Sequence, residues 1–313
     1  MANALVHILI FPGLVFLSVL GLAMEFVDRK LYARFQNRQG PPWFQPAADF
    51  LKLMHKEVIV PLNADNLFFK LMPVLALTAT VCSSLSIPLW GMRAFMPFEG
   101  DVIVVLYLLT IPTLTFFLGG WYSRSIYSMI GATRTIIQLF AYEVPLFLSI
   151  LAPALLAGTW SLSTMAAFYS MHPLLLLANI PAFCVALVSL LGKLEKVPFD
   201  IPEAETEIVA GAFTEYSGRL LGFFRIAIDI EMVVGASLIA AVFCPFGLNL
   251  PSGIAFVIYI AKVLVVTEII SMARTLFARL RIDQMIDFCW KFVAPVALAQ
   301  MFLNLIIKGW IAR

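Results

Sequence analysis

Eight apolar runs, at roughly 4–26, 68–90, 101–121, 135–158, 174–192, 220–244, 254–272 and 288–307, each come close to the roughly 20 residues that cross a bilayer as a helix. They are continuous rather than alternating in ten-residue segments, which speaks against a transmembrane barrel. Composition agrees: 62% of the 313 residues are hydrophobic and 13% charged, with 27 Phe and 13 Met, outside the range of soluble domains. Arg225, Asp229 and Glu231 interrupt the sixth run, and Lys262 and Glu268 the seventh, so seven or nine spans are the alternatives to eight. The expected fold is an all-α integral membrane protein of about eight transmembrane helices, a single polytopic domain over 1–313.

Positive residues stay on the cytoplasmic side. Arg29, Lys30, Arg34, Arg38, Lys52 and Lys56 follow the first run; Arg124 and Arg134, then Lys193, Lys196 and Arg219, then Arg274, Arg279 and Arg281 recur in alternate loops on that side, while the other face holds only Arg93, Lys308 and Arg313. Both termini should therefore lie on the outer face. No basic flank precedes Ala4, so the first run reads as a retained span rather than a cleaved signal.

Cys82, Cys184, Cys244 and Cys289 are widely separated, as are His7, His55 and His172. No pair has the short spacing of zinc or iron-sulfur sites, so no cofactor is expected in this chain. In the first cytoplasmic loop, Lys30, Arg34 and Arg38 recur every four residues before Gly40, Pro41 and Pro42 stop the helix. A basic collar on lipid headgroups and a docking surface for a soluble partner are equally compatible with that pattern.

The segment KVPFDIPEAETEIVAGAFTEYSGR, residues 196–219, carries Asp200, Glu203, Glu205, Glu207 and Glu215. With Pro202 in its first turn, a helix beginning near Ile201 would place three glutamates where exposed N–H groups favour negative charge. Yet Glu203 and Glu207, four apart, repel on a helix, and the apolar residues that follow suggest burial, where carboxylates favour their neutral forms. Glu143 stands alone in an apolar run; Arg225 and Asp229 lie one turn apart, the best candidates for a structural ion pair. Ionisable groups in hydrocarbon pair or line a wet path. Glu143, the acidic loop, Asp229, Glu231 and Glu268, with Arg225 and Lys262 among them, therefore form the expected ion path.

Four stretches, DRKLYARFQNRQGP, SIYSMIGATRTIIQLFAYEV, KVPFDIPEAETEIVAGAFTEYSG and RLRIDQMIDFCWK, resemble in order and separation the family of subunit 1 of respiratory complex I, the NADH:quinone oxidoreductase, with its relatives in membrane-bound hydrogenases. The resemblance implies about eight helices, some strongly tilted, linking a soluble electron-transfer arm to an antiporter-like membrane arm. It puts Glu143 in the family's buried-glutamate position and the carboxylates from Asp200 to Glu215 in its acidic loop. Asp28, Arg29, Arg34, Gln36 and Arg38, with Arg279, Arg281 and Asp283, fall at the partner interface. The contracted RQGPPWFQP looks like the hydrogenase branch, including ferredoxin-dependent hydrogenases and sulfur-reducing complexes, so no quinone site is assigned.

The partners so implied are hydrogenase-like large and small soluble subunits carrying iron-sulfur and nickel-iron centres, antiporter-like membrane subunits and the lipid bilayer, with ferredoxin acting indirectly and no nucleic acid. The expected setting is the prokaryotic cytoplasmic membrane, multi-pass. The expected role is coupling of electron transfer to proton or sodium translocation. A quinone- or polysulfide-reducing relative, and a self-contained cation-coupled transporter, are the alternatives.

Overall fold

The computed structural model describes residues 2–311, with side chains over 6–310 except 205 and 206. Helices run in the order α1 (Ala2–Leu9), α2 (Leu14–Phe35), α3 (Gln45–His55), α4 (Asn66–Ser84), α5 (Asp101–Tyr122), α6 (Ile126–Ala157), α7 (Leu162–Met171), α8 (Leu174–Ala178), α9 (Ile180–Lys193), α10 (Glu205–Ile208), α11 (Gly218–Phe243), α12 (Ser252–Leu276), α13 (Ile282–Phe288) and α14 (Ala294–Ile311). The chain is an all-helical integral membrane protein. Seven helical stretches among the described residues are long and apolar enough to cross a membrane.

The sixth and seventh expected spans both form, as α11 and α12, despite their charges. α11 is the central helix, buried along nearly all of its apolar stretch. α6 extends 32 residues, about 48 Å at helical rise. It therefore outreaches the roughly 30 Å apolar layer and must tilt or project beyond it.

The fifth expected span, 174–192, is instead broken into α8 and a 14-residue α9, about 21 Å long and too short to cross alone. Pro173 and Pro181 flank the break, and buried amides from α14 satisfy it. Gln300 donates to the Ala178 carbonyl at 2.7 Å, and Asn304 to Asn179 Oδ1 at 2.7 Å and to the Ala152 carbonyl at 2.8 Å. Non-helical backbone at membrane depth is tolerated where neighbours supply such partners.

His7 lies tilted against Phe95 with ring centroids 5.3 Å apart, and Lys308 donates to the Leu155 carbonyl at 2.9 Å. α1 and the end of α14 thus meet the loop after α4 and the last turn of α6 at one end of the bundle, the end poor in cations. The opposite end gathers α3, the segment 193–217 and the stretch after α12: Arg219 donates to the Met54 carbonyl at 3.1 Å and Leu280 N–H to the Pro198 carbonyl at 3.1 Å.

The acidic segment does not form the helix expected from Ile201. Residues 201–203 turn, and only the single turn of α10 and a 3-10 turn at Gly211–Phe213 follow. Ala204 at φ 31° and Val209 at φ 66° lie where no right-handed helix continues. The loop folds onto α6, where a Cβ on Gly131 would collide with the backbone of Gly211 and Ala212. Glycine permits that approach.

Candidate functional site

The segment 193–204 closes a cavity of about 490 Å³ at the cation-rich end of the bundle, bounded by α2, α3, α11 and the end of α12. Its walls alternate in sign. Glu25, Asp49, Glu195, Asp200, Glu203, Asp229 and Glu231 face Arg29, Lys193, Lys196, Arg225, Arg274 and Arg279.

At the inner end, the fully buried Lys193 ammonium lies 3.4 Å from Glu231 Oε1 and 3.9 Å from Glu143 Oε2. α6, α9 and α11 each supply one of these groups. Among the described residues none of the five charged atoms has a hydrogen-bond partner of normal geometry; the three meet as an ion-paired cluster. Lys193 also sits over the Tyr142 ring at 5.6 Å, a cation–π contact.

A second cluster forms around Asp28, which is wholly buried and accepts from Lys196 Nζ at 2.6 Å, Arg274 Nη1 at 3.0 Å and Ser271 Oγ at 2.5 Å. Asp28, placed by the resemblance at the interface facing the soluble arm or the chamber, has its carboxylate enclosed by α12 and Lys196 and anchors the chamber wall. Arg29 bridges Glu25 at 2.6 Å and Asp49 at 3.0 Å, fastening α3 to α2.

In the acidic loop, Arg225 pairs with Glu203 at 2.8 Å, not with Asp229 as its spacing suggested. One turn of α11 separates Arg225 from Asp229 and both line the cavity, but Arg225 is taken by Glu203, and Asp229 has no ion pair among the described residues. Arg279 meets Asp200 at 3.2 Å and Glu207 at 3.6 Å, and Arg134 meets Glu207 at 2.6 Å. The Arg134 hydrogen bond holds the half-exposed Glu207 carboxyl below the usual carboxylate range.

The remaining expected positions lie elsewhere. The Glu205 side chain falls outside the described residues. Glu215 is half-buried away from the cavity, and Arg34, Gln36, Arg38, Arg281 and Asp283 are exposed at the cytoplasmic end, with Arg38 bonded to Gln36. Lys262 donates to the Phe246 carbonyl, and Glu268 is exposed on α12; neither reaches the chamber.

Glu195 was missed, as were Glu25, Asp49, Lys193, Lys196 and Arg274 as chamber residues. The signals were the run Lys193, Glu195, Lys196, read only as loop charge, and Glu25 four residues before Arg29. Glu195 lines the cavity and is partly buried, and its Oε1 is covered and without a hydrogen-bond partner among the described residues. Burial pushes this carboxyl well above its ordinary value of 4.5, with repulsion from Glu203 and Glu231 adding and Arg225 and Lys193 opposing.

A raised folded-state pKa contributes full stability below the unfolded value and loses it as pH rises toward the folded one. The protein should therefore lose thermal stability in detergent as pH rises above about 4.5, and Glu195→Gln should remove that loss, the two proteins converging in acid. Inactivation temperatures across pH check it.

Fold and site together define a polytopic membrane subunit with a charged internal chamber; among the described residues no group of three or more His, Cys, Asp or Glu is placed to hold a metal ion. The chain belongs to the NADH dehydrogenase subunit 1 family of complex I: the family model described as NADH dehydrogenase matches residues 6–305. It is 37% identical to the corresponding NADH-quinone oxidoreductase subunit of Dehalococcoides mccartyi, over 96% of this chain and 86% of that protein. It is 33% identical to NADH-quinone oxidoreductase subunit 8 of Thermus thermophilus, over 91% and 81%.

Among solved structures it is similar to a chain of the membrane-bound sulfane sulfur reductase, an archaeal respiratory membrane complex, with a TM-score of 0.87 and 27% identity over 97% of this chain and 100% of that one. The protein is therefore a multi-pass cell-membrane subunit of a multi-chain oxidoreductase complex.

Proposed function

We propose that the chain links the soluble electron-transfer arm to the ion-pumping arm of a ferredoxin-dependent, membrane-bound hydrogenase-type complex, and that its chamber couples electron transfer to proton or sodium translocation. Iron-sulfur and nickel-iron centres belong to partner subunits in this reading. The observation that carries it is the buried Glu143, Lys193 and Glu231 cluster, joined without interruption to a charged cavity that reaches the cytoplasmic end. A cation shared between two carboxylates can favour either one, and a change at the chamber mouth shifts that balance. The contracted RQGPPWFQP loop and the likeness to the sulfane sulfur reductase chain support this branch, and membership of a family of complex subunits speaks against a self-contained transporter.

The relatives named as NADH-quinone oxidoreductase subunits favour a quinone acceptor as the second reading; photo-labelling of chamber residues by a quinone analogue would select it.

The test is Glu143→Gln and Glu231→Gln in the whole complex reconstituted into vesicles. Ion translocation should fall by about tenfold or more, equivalent to about 1.4 kcal/mol at the limiting step, while ferredoxin-driven hydrogen evolution continues uncoupled. Normal pumping by both variants would overturn the relay.

A further inference from the structure

α12 carries a carboxylate that meets no partner among the described residues. Glu268 is exposed, and among the described residues it has no ion pair and no hydrogen bond. Helical rise sets it about 12 Å from the Leu276 end of α12 and about 24 Å from the Ser252 end, inside the apolar layer rather than at its rim. Lys262 does not neutralise it, because that ammonium is spent on the Phe246 carbonyl toward the outer end.

The face around Glu268 is otherwise apolar. Val257, Val265, Met272 and Leu276 are all exposed at the spacing of one helical stripe. Beside the stripe, between α9, α11 and α12, runs a groove of about 250 Å³ bounded by Phe183, Ile239, Val265 and Ile269.

We infer that this face of α12 is an interface with a transmembrane helix of another subunit of the complex, which lays an apolar ridge in the groove and sets a basic or hydrogen-bond-donating side chain against Glu268. Charge complementarity selects that occupant. Lipid tails offer a carboxylate neither charge nor donor, so a lipid in the groove would leave Glu268 unsolvated, whereas a packed helix encloses it and pairs it. A groove beside a helical ridge is also the geometry into which a neighbouring helix packs. Glu268 thereby leaves the ion path and becomes an assembly residue.

The experiment uses the whole complex, purified in mild detergent through a tag on this chain. A photoreactive benzoylphenylalanine at Val265 should give an adduct with a polytopic subunit, the linked peptide containing Lys, Arg, His or an amide within about one turn. An adduct confined to lipid overturns the interface. Independently, Glu268→Leu should lower recovery of the membrane partners about tenfold, and Glu268→Gln, which keeps an acceptor, by no more than about twofold. A leucine variant that assembles as well as the native protein is the lipid-facing result and also overturns the inference; the photo-adduct, made with Glu268 intact, remains decisive if that variant fails to fold.

Discussion

Lys193→Met is expected to abolish ion translocation and to destabilise the protein by about 3–5 kcal/mol, the range for removing one partner of a buried ion pair. The side chain is 1% exposed, and its ammonium is the cation nearest both Glu231 and Glu143. Methionine fills similar volume, so the loss is electrostatic rather than a cavity. Two carboxylates would then be left without the cation that pairs with both among the described residues.

A second substitution separates the structural from the functional part. Lys193→Met with Glu231→Gln removes the nearer of the two orphaned charges, leaving Glu143, and should recover part of the lost stability, since neighbouring sites of this kind are strongly non-additive. It should not recover translocation, because the exchangeable cation is still missing. Thermal unfolding of the purified complex and pumping in vesicles read the two quantities separately. A double variant that pumps, or a single one that pumps and unfolds like the native protein, would remove Lys193 from the path.

The membrane-spanning helices were legible because an apolar run of span length has few other uses, and even the charged sixth and seventh runs formed as read. The break within 174–192 was not. Hydropathy cannot distinguish LLLLANIPAFCVALVSLLGK as one helix from the same residues bent around Asn179, and what stabilises the bend, Asn304 and Gln300, comes from more than a hundred positions later. Short-range spacing likewise misassigned the partner of Arg225. Asp229 lies one turn away along α11, but only folding of the loop brings Glu203 within 2.8 Å.

Lys193 and Lys196 show the same limit from the other side. As loop cations they located the cytoplasmic face, yet their positions at the end of α9 and just beyond it turn both ammonium groups inward, to Glu231 and Asp28. The Glu195 carboxylate was legible as a residue between two lysines, but its burial depends on α11 and the acidic loop closing over it. A single sequence thus reveals that charges are present in excess of what the bilayer tolerates. The pairing that makes them tolerable is a property of the tertiary fold, and here it converts a scatter of charges into one chamber.

The wall of that chamber should fail most sharply at Asp28. Asp28→Asn keeps the shape and can still accept from Ser271, but it removes the one anion that Lys196 and Arg274 share. Of the neighbouring carboxylates, only Glu25 lies within ion-pair distance of Lys196, at 3.7 Å, and it is already committed to Arg29. The expected cost is about 3–5 kcal/mol, moderated by the partial exposure of Arg274, 26%. Asp28 joins α2 to α12 and, through Lys196, to the chamber loop, so its loss should free that loop before the helices separate. Hydrogen exchange of the complex should show residues near 194–204 losing protection ahead of α11, and protease should cut there first. Ion translocation should fall as the chamber mouth loosens, even though Asp28 carries no exchanged ion. A variant with native exchange in that loop would mean that the Asp28 cluster is an incidental ion pair and that the chamber is held by Arg29 and Arg279 alone.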